Sequence, residues 1–347
     1  MLNTIHMENF FDKIKKHSHK IKKYGSAVLF VISVAILIYF CVVNNNLICL
    51  CKVLPILNLY WLVGGFVSLL ISWYFESRVI ATIAQNLCGQ KLPGYFSYKV
   101  IIYSQYFSAI TPMGLGCQPA QILKLKEKGI TTEKAVVILT KKLLIYQTTL
   151  AIYSVITTII YYNHLKNLFP GLIMFIAVGV LFQCFTIFIL IILKFKSELV
   201  LKTFKIIIFL CAKIKIIKNP QKIINSFNEK IKSVFDCNIK MERKTNLKLY
   251  LLNFLQITFL LLIPFFVFKS FNHEFNPIIE SICTQSVVNT VSSFTPLPGA
   301  SGTTENGFLK MFSLIFSKEE ISLAMIICRF ISFYFVIIIG ALFKKIK

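Results

Sequence analysis

Charge is scarce in this chain. Of its 347 residues, 15% are Asp, Glu, Lys or Arg, against about 25% in soluble domains. Beside 56% apolar residues, that shortage excludes an ordinary soluble protein and describes an integral membrane one. Histidine is nearly missing as well. His6, His17, His19, His164 and His273 all fall in tails or short loops. None stands at membrane depth to activate a serine or threonine or to hold zinc or haem. The ten cysteines include no Cys-x-x-Cys pair of the metal or redox kind, and most sit inside apolar runs, where Cys behaves as a small hydrophobe. There is no Walker-type Gly-Lys-Ser/Thr loop, which argues against ATP-driven pumping by this chain. No catalytic residue, metal or cofactor is expected.

What is present is apolar length and positive charge. The chain suits one bundle of about six to eight helices and leaves no room for a separate catalytic domain of ordinary size. Lys and Arg number 38 against 14 acids, a formal net charge of +24. The lysines gather in the tails and one loop, with few aromatics between them outside the apolar spans. Attraction to an anionic leaflet, about 1 kcal/mol per basic residue near the surface, accounts for this. Nucleic-acid binding is not expected.

Six stretches are apolar over roughly the 20 residues a span requires: Ala27–Val43, Leu57–Phe75, Ala135–Tyr161, Leu168–Leu193, Leu247–Phe268 and Ile321–Phe343. The first follows a basic tail, yet it is long and lacks a small-x-small cleavage site, so it reads as a retained anchor. Lysines set the orientation. Residues 1–26 form a basic cytoplasmic tail, residues 344–347 another, and residues 27–343 a single membrane domain. Between Lys194 and Lys248 stand fourteen Lys or Arg and four acids, which makes this loop cytoplasmic and suits a basic amphipathic helix on the inner leaflet. Glu76 and Arg78, at the end of the second span, read as a surface pair.

Two further segments are different. Ser108–Lys124 and Val287–Lys310 are rich in small residues, glycine and proline, and each follows a weaker polar stretch, Phe96–Pro112 and Ile278–Phe294. Lipid cannot hydrogen-bond a peptide group, so such breaks survive at membrane depth only where protein or water surrounds them. Both ends of the first segment carry cytoplasmic signals, and both ends of the second read as external. The simplest all-α solution is six full spans plus two opposed re-entrant hairpins, eight membrane segments, with both termini cytoplasmic. The alternative is eight ordinary spans with one loop that violates the charge rule. Ser108–Pro112 and Ser292–Pro296 share the pattern Ser-x-[Ile/Phe]-Thr-Pro, a trace of an internal repeat. Opposed hairpins meeting near the midplane are the layout of inverted-repeat transporters.

These segments resemble the flippase-like family that includes the transmembrane half of lysylphosphatidylglycerol synthase. Thr295-Pro-Leu-Pro-Gly-Ala-Ser-Gly-Thr-Thr-Glu305 is similar to that family's Pro-x-Pro-Gly-x-x-Gly-x-x-Glu signature. Thr111-Pro-Met-Gly-Leu-Gly-Cys-Gln-Pro119 resembles its Pro-x-Gly-x-Gly element, and Arg329 matches a basic position early in the last span. The likeness runs over essentially the whole chain. Two departures stand out. Thr140-Lys141-Lys142 occupies the place where the family often has an acid–arginine pair. The soluble aminoacyl-transferase domain of the full-length synthases does not follow here, so the resemblance implies a lipid-handling membrane module rather than lysyl transfer.

The substrate-binding candidates are Glu305, Arg329, Gly299, Gly302, Thr295, Pro298, Gly114, Gly116, Gln118 and Lys142. Glu305 is a carboxylate expensive to hold in a membrane unless paired or functional; its structural alternative is to cap a helix beginning near Asn306. Arg329 and Lys142 suit a phosphate or a partner carboxylate, the arginine fork better than the ammonium. The glycines permit tight turns and a phosphate cradle of backbone N–H groups. Gln118 and Gln105 suit a headgroup or interhelical glue.

The expectation is a multi-pass protein of the bacterial cell membrane that translocates a phosphatidylglycerol-derived or aminoacylated lipid. The alternatives are phosphatidylglycerol lysyltransferase activity and small-solute transport. The partners expected are an anionic phospholipid substrate, the membrane itself, a separate aminoacyl-transferase protein and a second copy of the chain.

Overall fold

A computed structural model describes residues 57–166, 171–195 and 241–345, with Pro55 and Leu168. The tail 1–26, the expected span Ala27–Val43 and the body of the basic loop, residues 196–240, lie outside the described residues.

Helix α1, Leu59–Cys88, starts where the Asn58 side chain accepts from the Tyr60 amide and stops where Gly89 turns left-handed at φ 67°. Its thirty residues rise about 45 Å, more than the ~30 Å hydrocarbon layer. The helix therefore runs straight through Glu76 and Arg78, where the sequence reading ended it. Helix α2, Gly94–Ala109, leads into a break, and α3, Cys117–Lys126, leads out of it. Helix α4, Thr132–Leu165, is capped by Thr131, and α5 spans Leu172–Phe195.

The second half repeats the order. Helices α6, Arg243–Leu261, and α7, Ile263–Ser270, form one apolar rod divided just before Pro264, where a proline nitrogen has no hydrogen to give the preceding turn. Helix α8, Ile278–Ser292, enters a second break, and α9, Thr303–Met311, leaves it. The chain closes with α10, Ile321–Arg329, a π-helical turn over Phe330–Tyr334, and α11, Phe335–Lys345.

Among the described residues, five helices are long and apolar enough to cross a membrane: Leu59–Cys88, Thr132–Leu165, Leu172–Ile192, Arg243–Ser270 and Ile321–Phe343. They coincide with five of the six expected spans. Among the described residues the fold is all helical.

Packing follows an exchange rule. The leading helices of the two halves, α1 and α6, lie against each other. Helix α2 packs on α11, and its counterpart α8 packs on α4. Swapping the halves thus reproduces the contacts, as expected of two units related by a twofold axis. Among the described residues helix α5 has no counterpart; it rests on α4 and α8. Glycine permits the closest of these approaches. At Gly340 a Cβ would collide with the Tyr106 side chain, so only a bare backbone lets α11 meet α2 at that level.

Polar side chains join α8 to α4. Ser154 Oγ and Thr290 Oγ1 are 2.7 Å apart, and Thr157 donates to Ser286 over 3.0 Å. All four residues are buried. Such hydrogen bonds hold helices together where lipid removes the hydrophobic drive for helix association.

Candidate functional site

The two breaks are built alike. Each begins with an extended residue, Thr111 at ψ 148° or Leu297 at ψ 152°, followed by a 3-10 turn opened by proline. In the first, Pro112-Met113-Gly114, Met113 and Gly114 have φ of 50° and 67°. In the second, Pro298-Gly299-Ala300, Gly299 and Ala300 have φ of 59° and 50°. A left-handed pair after proline turns the chain sharply. This equivalence sets Pro112 against Pro298. The Ser-x-x-Thr-Pro likeness had set it against Pro296, two residues away; backbone conformation, not the shared letters, defines the repeat.

The two breaks touch each other. Between them and the π-helical turn lies a cavity of about 320 Å³, its wall formed by side chains from α2, both breaks, the end of α8 and the last span. Of the expected site residues, Gly114, Thr295 and Gly299 line it. Sequence reasoning had placed Gln105 in the neighbourhood and had missed Ser108, Ser292, Ser293, Ser332 and Phe333. Serines this small carry no pattern of their own; only their position beside the breaks pointed to them.

Two buried ion pairs flank the cavity. In the second half, Arg329 Nε and Nη2 converge on Glu305 Oε1 at 2.8 and 2.7 Å. Arg329 also reaches Ser301 Oγ at 3.3 Å. The other carboxylate oxygen, Oε2, accepts from the Gly302 amide at 2.6 Å, half of a capping box at the start of α9. Glu305 therefore both caps a helix and neutralises an arginine, and it is 1% exposed. The guanidinium lies 5.2 Å from the centroid of Phe333, whose ring forms cavity wall and packs against Gly299. A Cβ on Gly299 would enter that ring. Ion pair, aromatic ring and left-handed glycine are one stack.

In the first half the partners differ. Lys142 Nζ on α4 sits 2.5 Å from Glu76 Oε1 on α1 and 3.3 Å from Gln121 Oε1 on α3. Gln121 in turn donates to Ser104 Oγ at 2.9 Å, and Gln105 donates to Glu76 Oε2 at 2.8 Å. Glu76 is 4% exposed, which corrects its reading as half of a surface pair with Arg78. The acid absent from the α4 position is supplied by α1, and burial of both charges explains why each needs the other. A carboxylate surrounded by Trp73, Tyr74, Phe75 and Ser72 in one apolar run was the available signal.

Gly116, Gly302, Pro298, Gln118, Glu305, Arg329 and Lys142 lie outside the cavity lining. The backbone donors of the breaks turn inward. Gly114 N–H is given to Thr111 O, Gly116 N–H to Thr111 Oγ1, Ala300 N–H to Leu297 O, and Gly302 N–H to Glu305. The phosphate cradle expected of the glycines is therefore engaged at Gly114, Gly116 and Gly302 by the protein itself. Among the described residues no group of three or more His, Cys, Asp or Glu is placed to hold a metal ion.

Residues 26–340 match the family model described as the lysylphosphatidylglycerol synthase TM region. No curated protein and no solved structure matches the chain significantly.

Proposed function

Because the chain belongs to the lysylphosphatidylglycerol synthase TM-region family, we propose that this multi-pass membrane protein carries a polar lipid headgroup across the bilayer, through the cavity between its two helix breaks. The bacterial cell membrane expected from the sequence is consistent with that family. One observation carries the proposal: a hydroxyl-lined space of about 320 Å³ lies between two polar breaks of the same backbone form, one in each half. A pocket of that size falls at the lower end of small-ligand sites and suits a headgroup whose tails remain in lipid.

In this reading the breaks are the tips of two re-entrant hairpins entering from opposite faces, and the exchange of contacts between halves reflects an inverted repeat. The two faces would then be served by equivalent machinery, one hairpin each. The ion pairs Glu305–Arg329 and Glu76–Lys142 position the walls rather than touching cargo directly. A phosphatidylglycerol-derived or aminoacylated cargo is what the family's description suggests.

Purified full chain reconstituted into vesicles with a fluorescent phospholipid tests the proposal. Accelerated access of a membrane-impermeant quencher to inner-leaflet probe is the expected result. No acceleration for any headgroup, from a preparation that remains folded, overturns it.

A further inference from the structure

Ser108 behaves unlike the serines around it. On the same helix, Ser97 and Ser104 give their hydroxyl hydrogens to Pro93 O and Ile101 O. Elsewhere on the cavity wall, Ser293 and Ser332 give theirs to Thr290 O and Cys328 O. A bond to the preceding turn is a common resting place for a helical hydroxyl. Among the described residues, the Ser108 hydroxyl has no such partner, in main chain or side chain. The residue is half-buried and lines the cavity.

Gly114 keeps that hydroxyl open. A Cβ at Gly114 would stand 2.7 Å from Ser108 Oγ, and Gly114 lines the same space. The bare backbone of the first break therefore leaves Ser108 uncovered. Gln105 lies three residues before it, a spacing that puts both on one face of α2. A side-chain amide has two hydrogens, and Gln105 gives one to Glu76 Oε2 at 2.8 Å. The charge of Glu76 is in turn met by Lys142. An uncommitted O–H and an uncommitted N–H thus stand side by side on the α2 wall, backed by a neutral pair.

A phosphodiester anion only accepts hydrogen bonds, and two adjacent donors match two of its oxygens. Bonds to an ionised acceptor are roughly twice as strong as neutral ones. Among the described residues no Asp, Glu, Lys, Arg or His lines the cavity. The phosphate meets no rival anion on the wall and no cation that would trap it there. A group in transit must be bound well enough to enter and loosely enough to leave, and neutral donors meet both conditions.

We propose that Ser108, with Gln105 beside it, receives the phosphodiester of the cargo lipid, and that Ser108 is the contact that selects for it. The inference rests on the reading of the cavity as a headgroup site and adds where in it the phosphate docks.

The test measures retention of lipid by the detergent-purified full chain, titrated in native mass spectrometry. Three lipids are used: phosphatidylglycerol; phosphatidylmethanol, whose head has nothing polar beyond the phosphodiester; and glucosyl-diacylglycerol, which has no phosphate. Ser108→Ala removes no hydrogen bond from the fold and should unfold at the parent's temperature. It is expected to weaken both phosphodiester lipids about tenfold relative to the glucosyl lipid, the worth of one hydrogen bond to a charged acceptor. Ser108→Asp, which sets an anion on the same wall, should weaken them further. Unchanged retention of phosphatidylmethanol by both variants overturns the inference. So does a loss confined to phosphatidylglycerol, which would put Ser108 on the glycerol hydroxyls, and so does an equal loss of all three. Dimethyl phosphate bound as tightly as phosphatidylmethanol would assign the contact to a soluble phosphoester and defeat the lipid ligand.

Movement in vesicles separates this inference from the translocation reading. Retention that depends on Ser108, with no movement of any lipid, defeats translocation and leaves the phosphate contact standing. Movement of phosphatidylglycerol that both variants leave at the parent's rate keeps translocation and defeats the contact.

Discussion

Gln105 on the cavity wall donates to Glu76 over 2.8 Å, and Glu76 holds Lys142 at 2.5 Å. A neutral amide thus stands between the cavity and a buried charge pair. On the opposite side Phe333 does the same for Arg329, presenting an aromatic ring in place of a guanidinium. Both halves keep their charges behind the wall. The space between is polar without being charged, and the consequences can be measured.

The first concerns Arg329. Replacing it by Met leaves Glu305, 1% exposed, without its counter-charge and its two convergent donors. Breaking a buried pair from one side costs about 3–5 kcal/mol. Thermal unfolding in detergent should show Arg329→Met strongly destabilised and Glu305→Gln/Arg329→Met milder than the arginine change alone. A single mutant as stable as the parent would remove the pair from the account of this fold.

Lys142 supports the same argument in the other half, with a second partner. Lys142→Met strands Glu76 and deprives Gln121 of a donor, for a loss of about 3–5 kcal/mol. Glu76→Gln in the same chain should recover a good part of it, because Gln105 and Gln121 can re-pair with a neutral amide. Lys142→Arg keeps the charge and is expected to cost less than Lys142→Met. Additive losses from the two single changes, measured as a double-mutant cycle, contradict the contact.

Much of this was legible in the sequence, for identifiable reasons. Five spans announced themselves by apolar length, and the breaks by clustered proline and glycine whose irregular backbone lipid alone cannot satisfy. Glu305 was legible because a lone carboxylate in such a stretch demands a partner, and Arg329 stood in the next span. Glu76 was lost because a charged residue after nineteen mostly apolar ones looks like a helix end. The helix continues for twelve more residues, to Cys88, and its partner comes from α4, 66 positions away. No local pattern carries that pairing. Ser292 and Ser332 were illegible for a different cause. A serine signals a site only when its neighbours' hydrogen bonds are known, and those are set by tertiary packing.

Gly299 combines two demands, a left-handed backbone and the absence of a Cβ against Phe333. Gly299→Ala meets both obstacles and should destabilise by about 1–3 kcal/mol. Pairing it with Phe333→Leu relieves the steric part and leaves the backbone part. A double mutant recovering some, but not all, of the lost stability is the expected result. Full recovery would assign the whole effect to the ring.

Ser332 offers the cleanest separation of function from folding. Its side chain lines the cavity, yet the residue is exposed at the surface of the last span. Tryptophan there extends into a space of about 320 Å³ without displacing buried core. Only the hydrogen bond to Cys328 O is lost, worth about 1 kcal/mol. Ser332→Trp should therefore unfold within a few degrees of the parent while lipid movement in vesicles falls by about tenfold or more, since a filled passage cannot admit a headgroup. A matching tryptophan at Ile338, exposed on the same span but outside the cavity lining, controls for bulk alone and should leave movement intact. Equal loss from both substitutions would mean that the cavity is not the route.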